Sequence, residues 1–150
     1  MNKIFSLILM VIFVAGCNGG PSFEQPLGKV IVDNRNYTMM IGEFEWIEDD
    51  FESRKISQSN KIDLAEKFET LDVKKGDRIK IQIDQNPSSI IVNQENEDGT
   101  IDVVEINDYE ITLPSEEGYY IYEIIAKWDN GKGTFVFDVN IEWKMRFKED

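Results

Sequence analysis

The chain contains no histidine and only one cysteine, Cys17, in 150 residues. Without imidazole there are no Ser-His or Cys-His nucleophile pairs, no imidazole acid/base catalysis, and none of the usual zinc, copper or haem ligand sets. With a single thiol no intrachain disulfide can form. Positive charge is also scarce: 16 Lys and Arg face 29 Asp and Glu, a formal net charge of −13. Such a surface repels phosphate backbones and anionic headgroups, so no nucleic-acid partner is expected, and cationic groups or divalent ions fit better. Long apolar runs are missing too. The longest, residues 4–14 (IFSLILMVIFV), falls short of the roughly 20 residues that a membrane-spanning helix needs.

What stands at the N-terminus has a different use. Lys3 gives a positive start, the apolar run has the length of a signal-peptide core, and small residues follow it. Val14, Ala15, Gly16 and Cys17 resemble the lipobox of bacterial lipoproteins. The resemblance covers the first 17 residues, and the lysine and isoleucine usage is similar to that of small Bacillus-type lipoproteins. It implies that Cys17 receives a diacylglyceryl group, that the peptide is cut before it, and that the mature chain is held on the extracytoplasmic face of the cell membrane. Two acyl chains anchor stably where one binds only marginally, at about 0.8 kcal/mol per buried methylene. Residues 1–16 are then a signal peptide, and residues 17–27, with NGGPSFEQP, a flexible linker. Residues 28–150 form one domain. Removing residues 1–16 leaves 134 residues with 15 basic and 29 acidic side chains, enough for a single core.

From Lys29 onward the pattern is short β-type runs. Residues 29–32, 37–41 and 43–47 read as strands, with Asn34-Arg35-Asn36 as a turn and Gly42 as a bulge position. Residues 48–60 (EDDFESRKISQSN) read as a long acidic loop in which Glu48, Asp49, Asp50 and Glu52 attract cations or simply face solvent. Residues 62–68 fit a helical turn capped by Asn60 as well as an edge strand. Ile79, Ile81 and Ile83 alternate with polar residues, as a half-buried strand requires. Asp98-Gly99 reads as a type I′ hairpin turn. Tyr120, Tyr122, Ile124, Ala126 and Trp128 share one strand face, and Phe135, Phe137, Val139, Ile141 and Trp143 share one on its partner across Asp129-Asn130-Gly131. These two faces are the expected core. Past Glu142, Trp143, Met145 and Phe147 alternate with Lys144, Arg146 and Lys148, extending the last strand with a basic cluster.

About nine short strands without a long helical period predict an all-β chain, an antiparallel β-sandwich. Glu117-Gly118-Tyr119-Tyr120-Ile121-Tyr122 resembles the turn before the penultimate strand of immunoglobulin-like domains. The resemblance implies an Ig-like β-sandwich in which the Tyr120 hydroxyl bonds back to upstream backbone as a tyrosine corner. Tyr122 stands where that family carries its second disulfide cysteine.

Three constellations bear on function. Residues 94–105 (QENEDGTIDVVE) overlay the EF-hand calcium loop, placing Asn96, Asp98, Asp102 and Glu105 at ligand positions, with Gln94 where the loop needs Asp. A twelve-residue ligand loop and a tight hairpin exclude each other, and the flanking strands favour the hairpin, leaving a weak metal site at most. Paired carboxylates could serve hydrolysis, but among 29 acids some pair meets the required separation by chance. Tyr37, Phe44, Trp46 and Phe51 could form a flat binding platform, although such rings more often fill a core. The expectation is therefore a membrane-anchored interaction module for an extracytoplasmic protein or cell-wall ligand, with no catalytic residue and no cofactor. A carboxylate-dependent hydrolase and a weak divalent-cation binder are the alternatives.

Overall fold

The computed structural model describes residues 24–48, 51–55 and 59–142. They form an all-β sandwich of two sheets. The first contains β1 (Gly28–Val32), β2 (Arg35–Thr38), β6 (Arg78–Ile83) and β9 (Glu110–Thr112), in the order β2-β1-β6-β9. The second contains β3 (Met40–Glu48), β4 (Phe51–Lys55), β7 (Ser89–Glu95), β8 (Ile101–Val104), β10 (Gly118–Trp128) and β11 (Gly131–Ile141), in the order β4-β3-β11-β10-β7-β8. A short strand, β5 (Leu71–Val73), pairs parallel with the end of β11. β1, β6 and β9 occupy the A, B and E positions of an Ig-like sandwich, and β7, β10 and β11 the C, F and G positions, with β8 beside C.

The long hairpin pairs as the alternation predicts, with Tyr120 opposite Val139, Tyr122 opposite Phe137 and Ile124 opposite Phe135. These side chains are buried, and the rings of Tyr122 and Phe137 stack at 4.9 Å. Ile79, Ile81 and Ile83 close the core from the other sheet. Full burial of each such side chain stabilises by roughly 1.5–3 kcal/mol, which offsets the entropy of ordering so many short strands.

Phe44 and Trp46 belong to this core. Trp46 stands edge-on to Trp128 at 5.7 Å, and Tyr37 packs against the same cluster. The candidate binding platform is thus interior surface at these positions, as the commoner core reading of such rings has it, because β3 adds to the β11 edge and turns both rings inward. The side chain of Phe51 lies outside the described residues.

Eleven strands are present among the described residues, not nine. Part of the acidic stretch expected as a loop is β4, paired along β3 from Phe44–Lys55 to Glu48–Phe51; backbone pairing with a long neighbour overrides a polar composition there. Asp49, Asp50 and the side chains of Glu48 and Glu52 lie outside the described residues. Asn60 caps a real helix, α1 (Lys61–Lys67), accepting from the backbone N–H of Asp63 at 2.9 Å. Leu64 and Ala65 of α1 cover Ile121 and Val136, so β10 and β11 are buried on both faces around those two residues.

Gly42 does mark a bulge. Phe44 opposes Gly133 and Ile41 opposes Phe135, so Gly42 and Glu43 together face Thr134. A Cβ at Gly42 would stand 2.5 Å from the Thr134 hydroxyl. The primed turns lie elsewhere than expected: Asp33-Asn34, Gln85-Asn86 and Asp108-Tyr109 have positive φ at both residues, whereas in the Asp98-Gly99 turn only Gly99 does. That turn closes through Gly99 N–H to the Asn96 carbonyl at 2.9 Å, the three-residue hairpin with a left-handed glycine.

Candidate functional site

At one end of the sandwich an open groove of about 570 Å³ lies between the β7–β8 turn and the chain entering β10. Its floor is built from the core outward. The Tyr122 hydroxyl, fully buried, donates to Gln94 Oε1 at 2.9 Å. Gln94 Nε2 in turn donates to Asn96 Oδ1 at 2.8 Å. Asn96 Nδ2 donates to Thr100 Oγ1 at 2.9 Å and to Asp102 Oδ2 at 2.8 Å. Asp98 Oδ1 closes the turn by accepting from the Thr100 N–H at 2.9 Å and from its hydroxyl at 2.6 Å. An unbroken chain of hydrogen bonds therefore runs from the hydrophobic core to the exposed turn, fixing where its carboxylates stand.

The opposite wall comes from residues 114–118. The Tyr120 hydroxyl donates to the Glu116 carbonyl at 3.1 Å, which is the tyrosine corner, four residues upstream. Gly118, at φ 149°, lets the chain turn sharply into β10 against the Tyr120 ring. The Tyr119 N–H donates to Glu97 Oε1 at 3.1 Å, tying the two walls together. Glu97, Asp98, Asp102, Glu116 and Glu117 all line the groove.

The electrostatics follow from these contacts. The Thr100 hydroxyl and amide hold the Asp98 carboxyl below its ordinary value, so it stays ionised. Burial pushes the Tyr120 hydroxyl up, and the nearby Glu116 and Glu97 charges add to the effect. Burial likewise raises Tyr122. Tyr120 and Tyr122 are held as neutral donors and Asp98 as an anion. The groove can accept cationic or hydrogen-bond-donating groups.

The EF-hand overlay is placed plainly by this geometry. Asn96, Asp98 and Asp102 come together at the turn, whereas Glu105 lies beyond the end of β8 and does not line the groove. The hairpin forms in place of a ligand loop, and the Asn96 carboxamide is committed at both ends. Among the described residues no group of three or more Asp, Glu, Cys or His is placed to hold a metal ion. Cys17 lies outside the described residues.

Sequence reasoning missed a second polar cluster, on the helix-covered face. Asp138, 1% exposed, accepts from the hydroxyls of Thr70, at 2.8 Å, and Tyr119. It ties the chain after α1 to β11. Its other oxygen, Oδ1, is buried with no hydrogen-bond partner. Burial, then the Asp138 hydrogen bond and charge, and then the Glu66 charge raise the Tyr119 hydroxyl well above the usual tyrosine range. The available signal was a carboxylate inside the apolar run 135–139 (FVFDV).

The architecture is thus an all-β, Ig-like sandwich with an anionic groove at one end. Compared with protein-family models, curated proteins and solved structures, the chain matches none.

Proposed function

We propose that the chain is a lipoprotein anchored through Cys17 to the extracytoplasmic face of the cell membrane, and that its sandwich is an interaction module for a cationic segment of an extracytoplasmic protein or cell-wall ligand. The observation that carries the binding reading is the groove itself. Five carboxylates line it, and the Tyr122–Gln94–Asn96 chain orders its β7–β8 wall before any partner arrives. Preorganisation of this kind lowers the entropic cost of association. The lipobox residues Val14 to Cys17 support the anchor. Carboxylate hydrolysis is the weaker reading, because a general acid needs a raised pKa and Asp98 is shifted the other way.

Calorimetric titration of the domain with an oligolysine peptide tests the groove. Binding that weakens with salt, and that is lost in Asp98→Lys/Glu116→Lys, is the expected result. Undiminished binding by that variant would refute the assignment.

A further inference from the structure

The outer edge of β8 has two chemically different sides. Ile101 and Val103 are 56% and 76% exposed, whereas the alternating Asp102 lines the groove and Val104 packs on the core. α1 shields the outer face of this sheet around Ile121 and, through its Lys61–Glu95 ion pair, reaches β7. Among the described residues nothing buries Ile101 or Val103 on that face, and Ile91 adds to the exposed apolar surface. Among the described residues β8 pairs with β7 alone, so its outward row of N–H and C=O groups is open to another strand. An exposed apolar edge is what sheets ordinarily blunt with charge, bulges or a covering segment.

We propose that a second copy of this chain adds its C-terminal residues 143–148 to the β8 edge as an extra strand. The occupant is chosen by its pattern. Trp143, Met145 and Phe147 alternate with Lys144, Arg146 and Lys148, so an added strand puts one row over Ile101 and Val103 and the other beside Asp102 and the groove carboxylates. A register slip of one residue would set the cations on the apolar side, so the match specifies its own alignment. The inference deepens the reading of the groove as a cation-accepting surface, on which its charged row rests.

Reach decides between the chain's own tail and a partner's. β11 ends at Ile141, opposite Gly118, and the new strand would lie beyond β10, β7 and β8. Four strand spacings at about 4.8 Å make roughly 19 Å. An extended chain advances at most about 3.6 Å per residue, so the crossing consumes the segment that would have to pair. A second copy has no such constraint, and reciprocal exchange gives a closed two-fold dimer.

The test uses two full-length chains with different tags, one Val103→Cys and one Met145→Cys, expressed together and treated on membranes with a short bis-maleimide. A doubly tagged dimer is expected as the main product, and neither variant alone, nor the parent chain with Cys17, should give it. Ile101→Cys with Phe147→Cys is a second pair, which covers the case of one substitution disturbing the fold. The proposal is overturned if neither pair gives a mixed dimer, if Val103→Cys alone cross-links as well, or if a single chain carrying both cysteines links internally. Oligolysine binding to the groove with no mixed dimer would sink this inference alone and leave the groove reading standing.

Discussion

Replacing Tyr122 with Phe removes one oxygen and leaves the ring, which keeps its stack on Phe137 at 4.9 Å. The lost hydroxyl is the donor to Gln94 Oε1, and Gln94 is only 9% exposed. A buried acceptor left without its partner costs about 1–3 kcal/mol. For a domain of this size each kcal/mol lowers Tm by roughly 3–6 °C, so Tyr122→Phe should melt several degrees lower in circular dichroism. The second arm is Gln94→Leu and the double variant. If the Tyr122 hydroxyl and Gln94 act as a unit, the double variant is less destabilised than the sum of the singles by about 1–2 kcal/mol. A melting temperature for Tyr122→Phe within about one degree of the parent, or strictly additive losses, would refute the idea that the groove is held by a chain of bonds from the core.

Gly42→Ala should destabilise by about 1–3 kcal/mol, because its Cβ would stand 2.5 Å from the Thr134 hydroxyl. Urea unfolding of the double variant with Thr134→Ala should recover much of that loss. Asn60→Ala should cost about 1 kcal/mol through the lost cap on Asp63. Folding raises the hydroxyl pKa of Tyr119, Tyr120 and Tyr122 above the ordinary tyrosine value of 10.0. The folded state therefore holds protons that the unfolded chain releases. The stability they contribute is fully present below pH 10 and lost as pH rises above it; Tyr119→Phe should flatten that alkaline fall in a pH series of melting curves. Calcium should leave Tm unchanged, because the Asn96 amide and Asp98 Oδ1 are already engaged within the turn; a shift of several degrees would restore the loop reading.

The alternations were legible because strand pairing preserves a period of two: Ile79, Ile81 and Ile83 all point inward, and the Tyr122–Phe137 pairing follows from the turn at Asp129 and Asn130. The Tyr120 corner was legible for a similar reason, since its bond spans only four residues. What could not be read depends on distant partners. β4 exists because β3 offers an edge, and the inward turn of Trp46 depends on β3 joining β11, far along the chain. Val136 and Asp138 belong to the face that alternation assigns to solvent; they are buried because α1 and the segment after it fold back over the sheet. The site was partly legible. Asn96, Asp98 and Asp102 do converge, but the wall carrying Glu116 and Glu117 comes from a loop whose position the local pattern does not encode.

The claim that orders the rest is the lipid at Cys17, and intact-mass and peptide mass spectrometry of the protein taken from its own membranes tests it most directly. The expected product is a chain whose first residue is Cys17, carrying a thioether-linked diacylglyceryl group. A chain that begins at Met1, with an unmodified Cys17 thiol, would contradict it.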